Sequence, residues 1–164
     1  MLFQNLFRII LIKNKKYCYY QQLYFYLIDS IQEEYLKKRY LSLNEIEVKN
    51  SLVEAVKRTK STGSSTCVLL LFNQQTKKLH ATYVGDSLYM ICRYDKKKGI
   101  FQIFHKSNEQ QHKFNQPFQV GTNGDPPNAA IMETHDVKDK DLVIVGSDGL
   151  WDNVYDETIL SIVN

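Results

Sequence analysis

The sequence predicts an α+β fold, a pair of helices followed by antiparallel strands. Three observations carry that prediction. The first glycine is Gly63 and the first proline is Pro117, so residues 1–62 lack both residues that punctuate helices. From Thr66 onward the apolar residues fall into strand-length runs separated by polar turns. The chain has 164 residues, 43% hydrophobic and 24% charged, which is room for one core with an ordinary globular composition.

Residues 1–22 form a segment of their own. Met1 to Ile12 is apolar, and no acid precedes Asp29, whereas Arg8, Lys13, Lys15 and Lys16 do. Two readings stand: a short presequence, which would be basic and acid-poor, or a ragged start leading into a core helix. Residues 23–164 form the domain. A helix is expected near Leu23 to Lys38. A second follows Ser42-Leu43-Asn44-Glu45, a capping-box pattern, with Val48, Leu52, Ala55 and Val56 on one buried stripe. The run TCVLLLFN, Thr66 to Asn73, reads as a strand covered on both faces. Residues 79–84 alternate, and 88–94 and 100–105 follow across turns, so one antiparallel sheet is expected from these four runs, with no strand before Ser42. Residues 106–130 read as a long surface loop, of the kind that is functional or mobile. Ile131 to His135 and Leu142 to Gly146 are further strands. Asp156-Glu157 opens a last helix, since acids suit a helix N-terminus.

Composition excludes several functions. The formal net charge is only +3, and residues 61–164 carry 10 Lys/Arg against 12 Asp/Glu, a poor surface for nucleic acid but a good one for cations. No apolar run is long enough for a membrane span. Cys18, Cys67 and Cys92 have no C-x-x-C spacing, which argues against a disulfide framework or a zinc knuckle. Neither Cys67 nor Cys92 lies in a Cys-x5-Arg phosphate loop. Gly63-Ser64-Ser65-Thr66 lacks the Gly-Lys of a nucleotide loop, and Val145 stands where a nucleophile elbow needs glycine. His80, His105, His112 and His135 show no H-x-x-x-H spacing and read as surface or strand residues.

Two acidic turns remain. Gly85-Asp86-Ser87 joins two apolar strands, and Ser147-Asp148-Gly149-Leu150-Trp151-Asp152 follows the buried run LVIVG. A carboxylate at the end of a buried strand is costly unless it is paired or metal-bound. If the chain turns helically after Ser147, Asp148 and Asp152 share a face. Clustered carboxylate oxygens suit hard divalent cations. The competing reading is that these aspartates simply form turns.

The ordered segments GSSTCVLLLFNQQTKKLHATYVGDSLYMICR, SNEQQHKFNQPFQV, GDPPNAA and DLVIVGSDGLWDN resemble the metal-dependent protein phosphatases of type 2C. Glu109 to Phe118 resembles the subgroup with a mitochondrial-matrix member. The resemblance covers about residues 40–163. It implies a four-layer α-β-β-α sandwich of antiparallel sheets flanked by helices, present here in part. It also implies a binuclear Mg²⁺ or Mn²⁺ site whose bridging water attacks phosphoserine or phosphothreonine in a protein substrate, with no protein nucleophile. By the family pattern Asp148 is a direct metal ligand, Asp86 and Asp152 serve a weaker third metal, and Gly85, Ser87 and Gly149 shape the site. The implied compartment is the mitochondrial matrix or the cytoplasm, and the chain is expected to be monomeric.

The chain also departs from that pattern. The family's first metal motif, D-G-x-G-G, is absent from the residues before Gly63, and the closing Asp-Asn motif is absent after the last helix. The sequence therefore resembles the second part of the domain, with catalysis belonging to an intact form. The alternative is a non-catalytic phosphatase-like module that binds a protein partner. A third reading, a basic helical module for membrane or nucleic acid, requires Asp86 and Asp148 to be idle. With the opening strands of the sandwich lacking, one sheet face is expected to be bare, exposing residues such as Leu69 or Val84.

Overall fold

The computed structural model describes residues 7–10, 17–37 and 45–164. Its elements in chain order are β1 (Phe7–Ile10), α1 (Tyr17–Lys37), α2 (Glu45–Arg58), β2 (Ser64–Ser65), β3 (Cys67–Asn73), β4 (Lys78–Val84), β5 (Leu88–Asp95) and β6 (Ile100–Lys106). Three short strands follow, β7 (Gln111–Lys113), β8 (Gln116–Pro117) and β9 (Val120–Gly121), then a 3-10 turn at Pro127–Ala129. The chain continues through β10 (Ile131–Asp136), β11 (Leu142–Gly146), α3 (Asp148–Trp151) and α4 (Asp156–Val163). The expected helices and main strands are present. The first helix starts at Tyr17 rather than Leu23, and the capping-box residues Ser42, Leu43 and Asn44 lie outside the described residues.

The strands form two antiparallel sheets, β1-β3-β4-β10 and β11-β5-β6. This corrects the expectation of one meander. The chain leaves the first sheet after Val84 and enters the second at Leu88. Sheet formation inside one layer would leave the apolar inner faces of β3, β4 and β5 in water; stacking two layers buries them against each other. Val68, Leu70, Leu79, Ala81, Tyr83, Tyr89 and Ile91 form that intersheet core. β4 has sheet neighbours on both sides and is covered on both faces, so its alternating sequence is nonetheless buried from Leu79 to Val84.

A strand does precede Ser42, against expectation: β1 pairs with β3, Phe7 opposite Leu71 and Ile10 opposite Val68. Its sequence, FRII, is short and mostly apolar with two β-branched residues, and it pairs with the edge of the mostly apolar β3.

The outer face of the first sheet is covered as well. Tyr19, Leu23, Leu27 and Ile31 of α1 recur at helical spacing. Together with Val48, Leu52 and Ala55 of α2 they pack on Cys67, Leu69, Leu71 and Val84. Leu69 and Val84 are therefore buried, at 1% and 0% exposure, and the expected bare face is not found there. The two helices are tied by Arg58 to Asp29 at 2.5 Å, with the guanidinium also over the Tyr26 ring. On the far side Trp151 and Ile159 pack on Leu88, Met90 and Cys92 of β5. The layers run helix pair, sheet, sheet, helix. No helix among the described residues is long and apolar enough to cross a membrane.

Truncating Leu69 to alanine should cost about 2–5 kcal/mol, because it removes atoms from the seam between helices and sheet. Urea unfolding is the measurement. Phe114→Ala, at a tip that is 95% exposed, should stay within about 0.5 kcal/mol of the parent.

Candidate metal centre

The two acidic turns meet at one end of the sandwich, and strand register is the reason. β11 runs antiparallel to β5 with Gly146 opposite Leu88. The ladder ends there, and the two turns that leave this end come near enough for Asp148 and Asp152 to add to the charge felt by Asp86. After Ser147 the chain turns helically: the Asp152 N–H donates to the Asp148 carbonyl at 2.8 Å. Asp152 thus follows Asp148 one turn later, on the same side. The indole N–H of Trp151 donates to the Gly146 carbonyl at 2.8 Å and holds this turn against the strand end. A side chain at Gly146 would meet Leu150 Cδ2 at 2.5 Å, so glycine is needed there for space.

The other turn is more constrained. Gly85 has φ +100°, and a Cβ on it would lie 2.4 Å from Thr66 Cγ2 and 2.6 Å from the Phe118 carbonyl. Gln110 clamps the turn from the long loop. Its backbone N–H donates to the Gly85 carbonyl at 2.8 Å, and its side-chain oxygen accepts from the Gly85 N–H at 3.3 Å. Ser87 is buried, its hydroxyl 2.7 Å from that of Thr66. Gly85 and Ser87 therefore build the turn, while Gly149 is exposed and its N–H donates to the Asp148 carboxylate at 2.7 Å.

Asp86 is buried, at 9% exposure, whereas Asp148 and Asp152 are exposed. Burial raises the Asp86 carboxyl above the usual carboxylate range, and the negative charges of Asp148, Glu109 and Asp152 push it further. The cluster thus has a fourth acid, Glu109, carried by the loop that Gln110 anchors. Sequence reading missed its role because loop docking is not visible in spacing. The donor chemistry fits a hard divalent cation: oxygen ligands only, one carboxylate held in a buried turn, and like charges that a cation would neutralise. Neither Cys67 nor Cys92 is poised as a nucleophile. Cys67 and Cys92 are buried, and burial raises both thiols above their ordinary pKa.

No family model matches the chain. Individual proteins do. The protein phosphatase PTC7 homolog of Danio rerio is 35% identical over 107 residues, covering 60% of this chain and 34% of that protein. The probable protein phosphatase 2C 80 of Arabidopsis thaliana is 34% identical over 146 residues, 87% of this chain and 32% of the other. The probable protein phosphatase 2C 55 of the same plant is 43% identical over 108 residues, 64% and 21%. The chain therefore spans about a third or less of the length of these relatives. The X-ray structure of the photosystem II phosphatase PBCP matches with a TM-score of 0.74 at 24% identity, over 89% of this chain and 53% of that one, which speaks for the fold. The chain is a relative of the type 2C protein phosphatases, a group that works with Mg²⁺ or Mn²⁺.

The pKa of Asp86 has a consequence for stability. A carboxyl whose folded pKa lies above its unfolded one binds its proton more tightly in the native state. Stability therefore falls as pH rises from the unfolded value through the folded one. In EDTA at neutral pH, Asp86→Asn should melt at a higher temperature than the parent. The gap should close as the buffer is taken below the carboxylate range. A lower melting temperature for the variant at neutral pH would contradict this account.

Proposed function

We propose that the aspartate-lined end of the sandwich is part of a Mg²⁺ or Mn²⁺ site, and that an intact form of this domain dephosphorylates phosphoserine or phosphothreonine in proteins. What supports the reading is that the charges of Asp148, Glu109 and Asp152 all bear on the Asp86 carboxyl, with Asp152 one helical turn after Asp148. Asp148 offers an exposed carboxylate for direct ligation. Asp86 offers a buried one, fixed by the Gly85 turn, and Asp152 and Glu109 add negative charge around them. Bound divalent cations supply a water of lowered pKa and neutralise phosphoryl oxygens, so no side-chain nucleophile is required.

The remaining residues hold these carboxylates still. Gln110 and Thr66 fix the Asp86 turn, and Trp151 fixes the Asp148 turn. The exposed edge of the site faces the loop of residues 107–125, with His112 stacked on Phe118 and 2.8 Å from Asp125. That loop is the surface a phosphoprotein would meet. The resemblance of Glu109 to Phe118 to the subgroup with a mitochondrial-matrix member supports the mitochondrial matrix or the cytoplasm as the compartment.

Residues 1–164 contain no D-G-x-G-G segment, so this chain offers no carboxylate from that motif to hold two cations at fixed spacing. Losing one cation's stabilisation costs several kcal/mol of barrier, and each 1.4 kcal/mol is about tenfold in rate. Titration of residues 1–164 with Mn²⁺ should show weak binding that Asp148→Ala removes, while p-nitrophenyl phosphate hydrolysis stays at the buffer rate. Unchanged Mn²⁺ binding in Asp148→Ala would sink the metal reading. Mn²⁺-dependent hydrolysis that Asp148→Ala abolishes would confirm the site and refute the expected inactivity.

A further inference from the structure

A second donor cluster lies away from the acidic turns. β6 is the edge strand of the second sheet and β10 the edge strand of the first, and they lie along the same side of the sandwich. His105 of β6 and Glu133 and His135 of β10 turn inward there, with ligand atoms all within 4.8 Å of one another. His105 Nε2 is 2.9 Å from Glu133 Oε2, and His135 Nε2 is 3.5 Å from the same oxygen. Two ligands about 2.0–2.1 Å from a tetrahedral zinc ion are about 3.3–3.4 Å apart; the 3.5 Å spacing is close to that, and the 2.9 Å contact is a hydrogen bond that ligation would replace by a small opening of the pair. The Tyr89 hydroxyl is 2.8 Å from His135 Nε2 and 3.4 Å from His105 Nε2, and it donates to Glu133 Oε2. Tyr83 donates to the other carboxylate oxygen at 3.1 Å.

We propose that His105, Glu133 and His135 form a transition-metal site, suited to Zn²⁺, that staples the edge strands of the two sheets together. Two imidazole nitrogens and one carboxylate prefer zinc-like ions to Mg²⁺, which demands oxygen. Tyr83 and Tyr89 orient the carboxylate by donating to its two oxygens. The side chains remain 25%, 22% and 13% exposed for His105, Glu133 and His135, so an ion can reach them from the open side.

The cluster is separate from the acidic end. Glu133 pairs with Ala81 in the middle of β4, whereas Asp86 lies beyond the end of that strand at Val84, in the turn to the second sheet. It also differs in kind, with nitrogen donors where the turns offer only oxygen. A zinc ion here would join strands that no ladder connects, since β6 and β10 belong to different sheets. Its role is to close this side of the sandwich.

The test is calorimetric titration of the full chain with Zn²⁺ alone, in buffer containing excess Mg²⁺ to occupy the acidic turns, with Co²⁺ absorption as a second reading. The expected result is one site, a rise in melting temperature and visible Co²⁺ bands of a low-coordinate, nitrogen-containing site. His105→Gln and His135→Gln should each weaken binding by about tenfold or more, while His112→Gln and Asp148→Ala leave it unchanged. Far-UV circular dichroism verifies that each variant is folded, and the histidine variant that folds carries the test. No saturable binding by the folded parent, or equal binding by a folded histidine variant, would overturn the proposal. Loss of binding in Asp148→Ala alone would assign the ion to the acidic turns and overturn it too.

Discussion

The molecule depends on how the chain passes from one sheet to the other at Gly85-Asp86-Ser87. Val84 closes the first sheet and Leu88 opens the second, so three residues must span the gap between layers. That turn needs φ +100° and has no room for a Cβ, with Thr66 and the Phe118 carbonyl both inside contact distance. Only glycine satisfies both conditions. The same turn then aims Asp86 at the end of the sandwich, where β11 delivers Asp148. Fold and candidate chemistry meet in one backbone conformation. The long loop is tied to it as well, because Gln110 spends both its backbone and its side chain on Gly85.

Much of this was legible in the sequence, for identifiable reasons. The helix pair follows from a stretch without glycine or proline and from the stripe Val48, Leu52, Ala55. The strands follow from apolar runs bounded by polar turns, and the acidic turns stand out because carboxylates are costly at the ends of buried strands. The division into two sheets did not follow from the residues alone, since periodicity reports which residues alternate but not which layer a strand joins. The burial of Leu69 and Val84 was missed for a related reason: the helix stripes and the strand faces were read separately, and only packing shows that they meet. The strand at Phe7–Ile10 was hidden by its shortness, four residues in a segment without turn signals.

The histidine cluster illustrates the deepest limit of sequence reading. His105 and His135 are thirty residues apart on strands of different sheets, so no spacing rule links them to each other or to Glu133. Their only local signal is that Glu133 and His135 sit two apart on a strand and so share a face. Tertiary structure supplies the rest by closing two edge strands on one side of the sandwich.

The two polar clusters also differ in how the fold tolerates them. At the sheet edges, Glu133 is satisfied internally: two tyrosines donate to its carboxylate and histidines flank it, so its charge is held below the usual carboxylate pKa. At the sandwich end, Asp86 is buried among other acids, and its carboxyl is held above that range. One arrangement surrounds a carboxylate with hydrogen-bond donors and imidazoles; the other gathers carboxylates whose mutual repulsion a proton or a cation would lower. Backbone geometry enforces the second arrangement. Gln110 holds the Gly85 turn through two hydrogen bonds, and Trp151 pins the opposing turn to Gly146. A divalent ion bound by these carboxylates in the folded chain would stabilise it by its differential affinity for the folded state, which is how the proposed site would act on the fold.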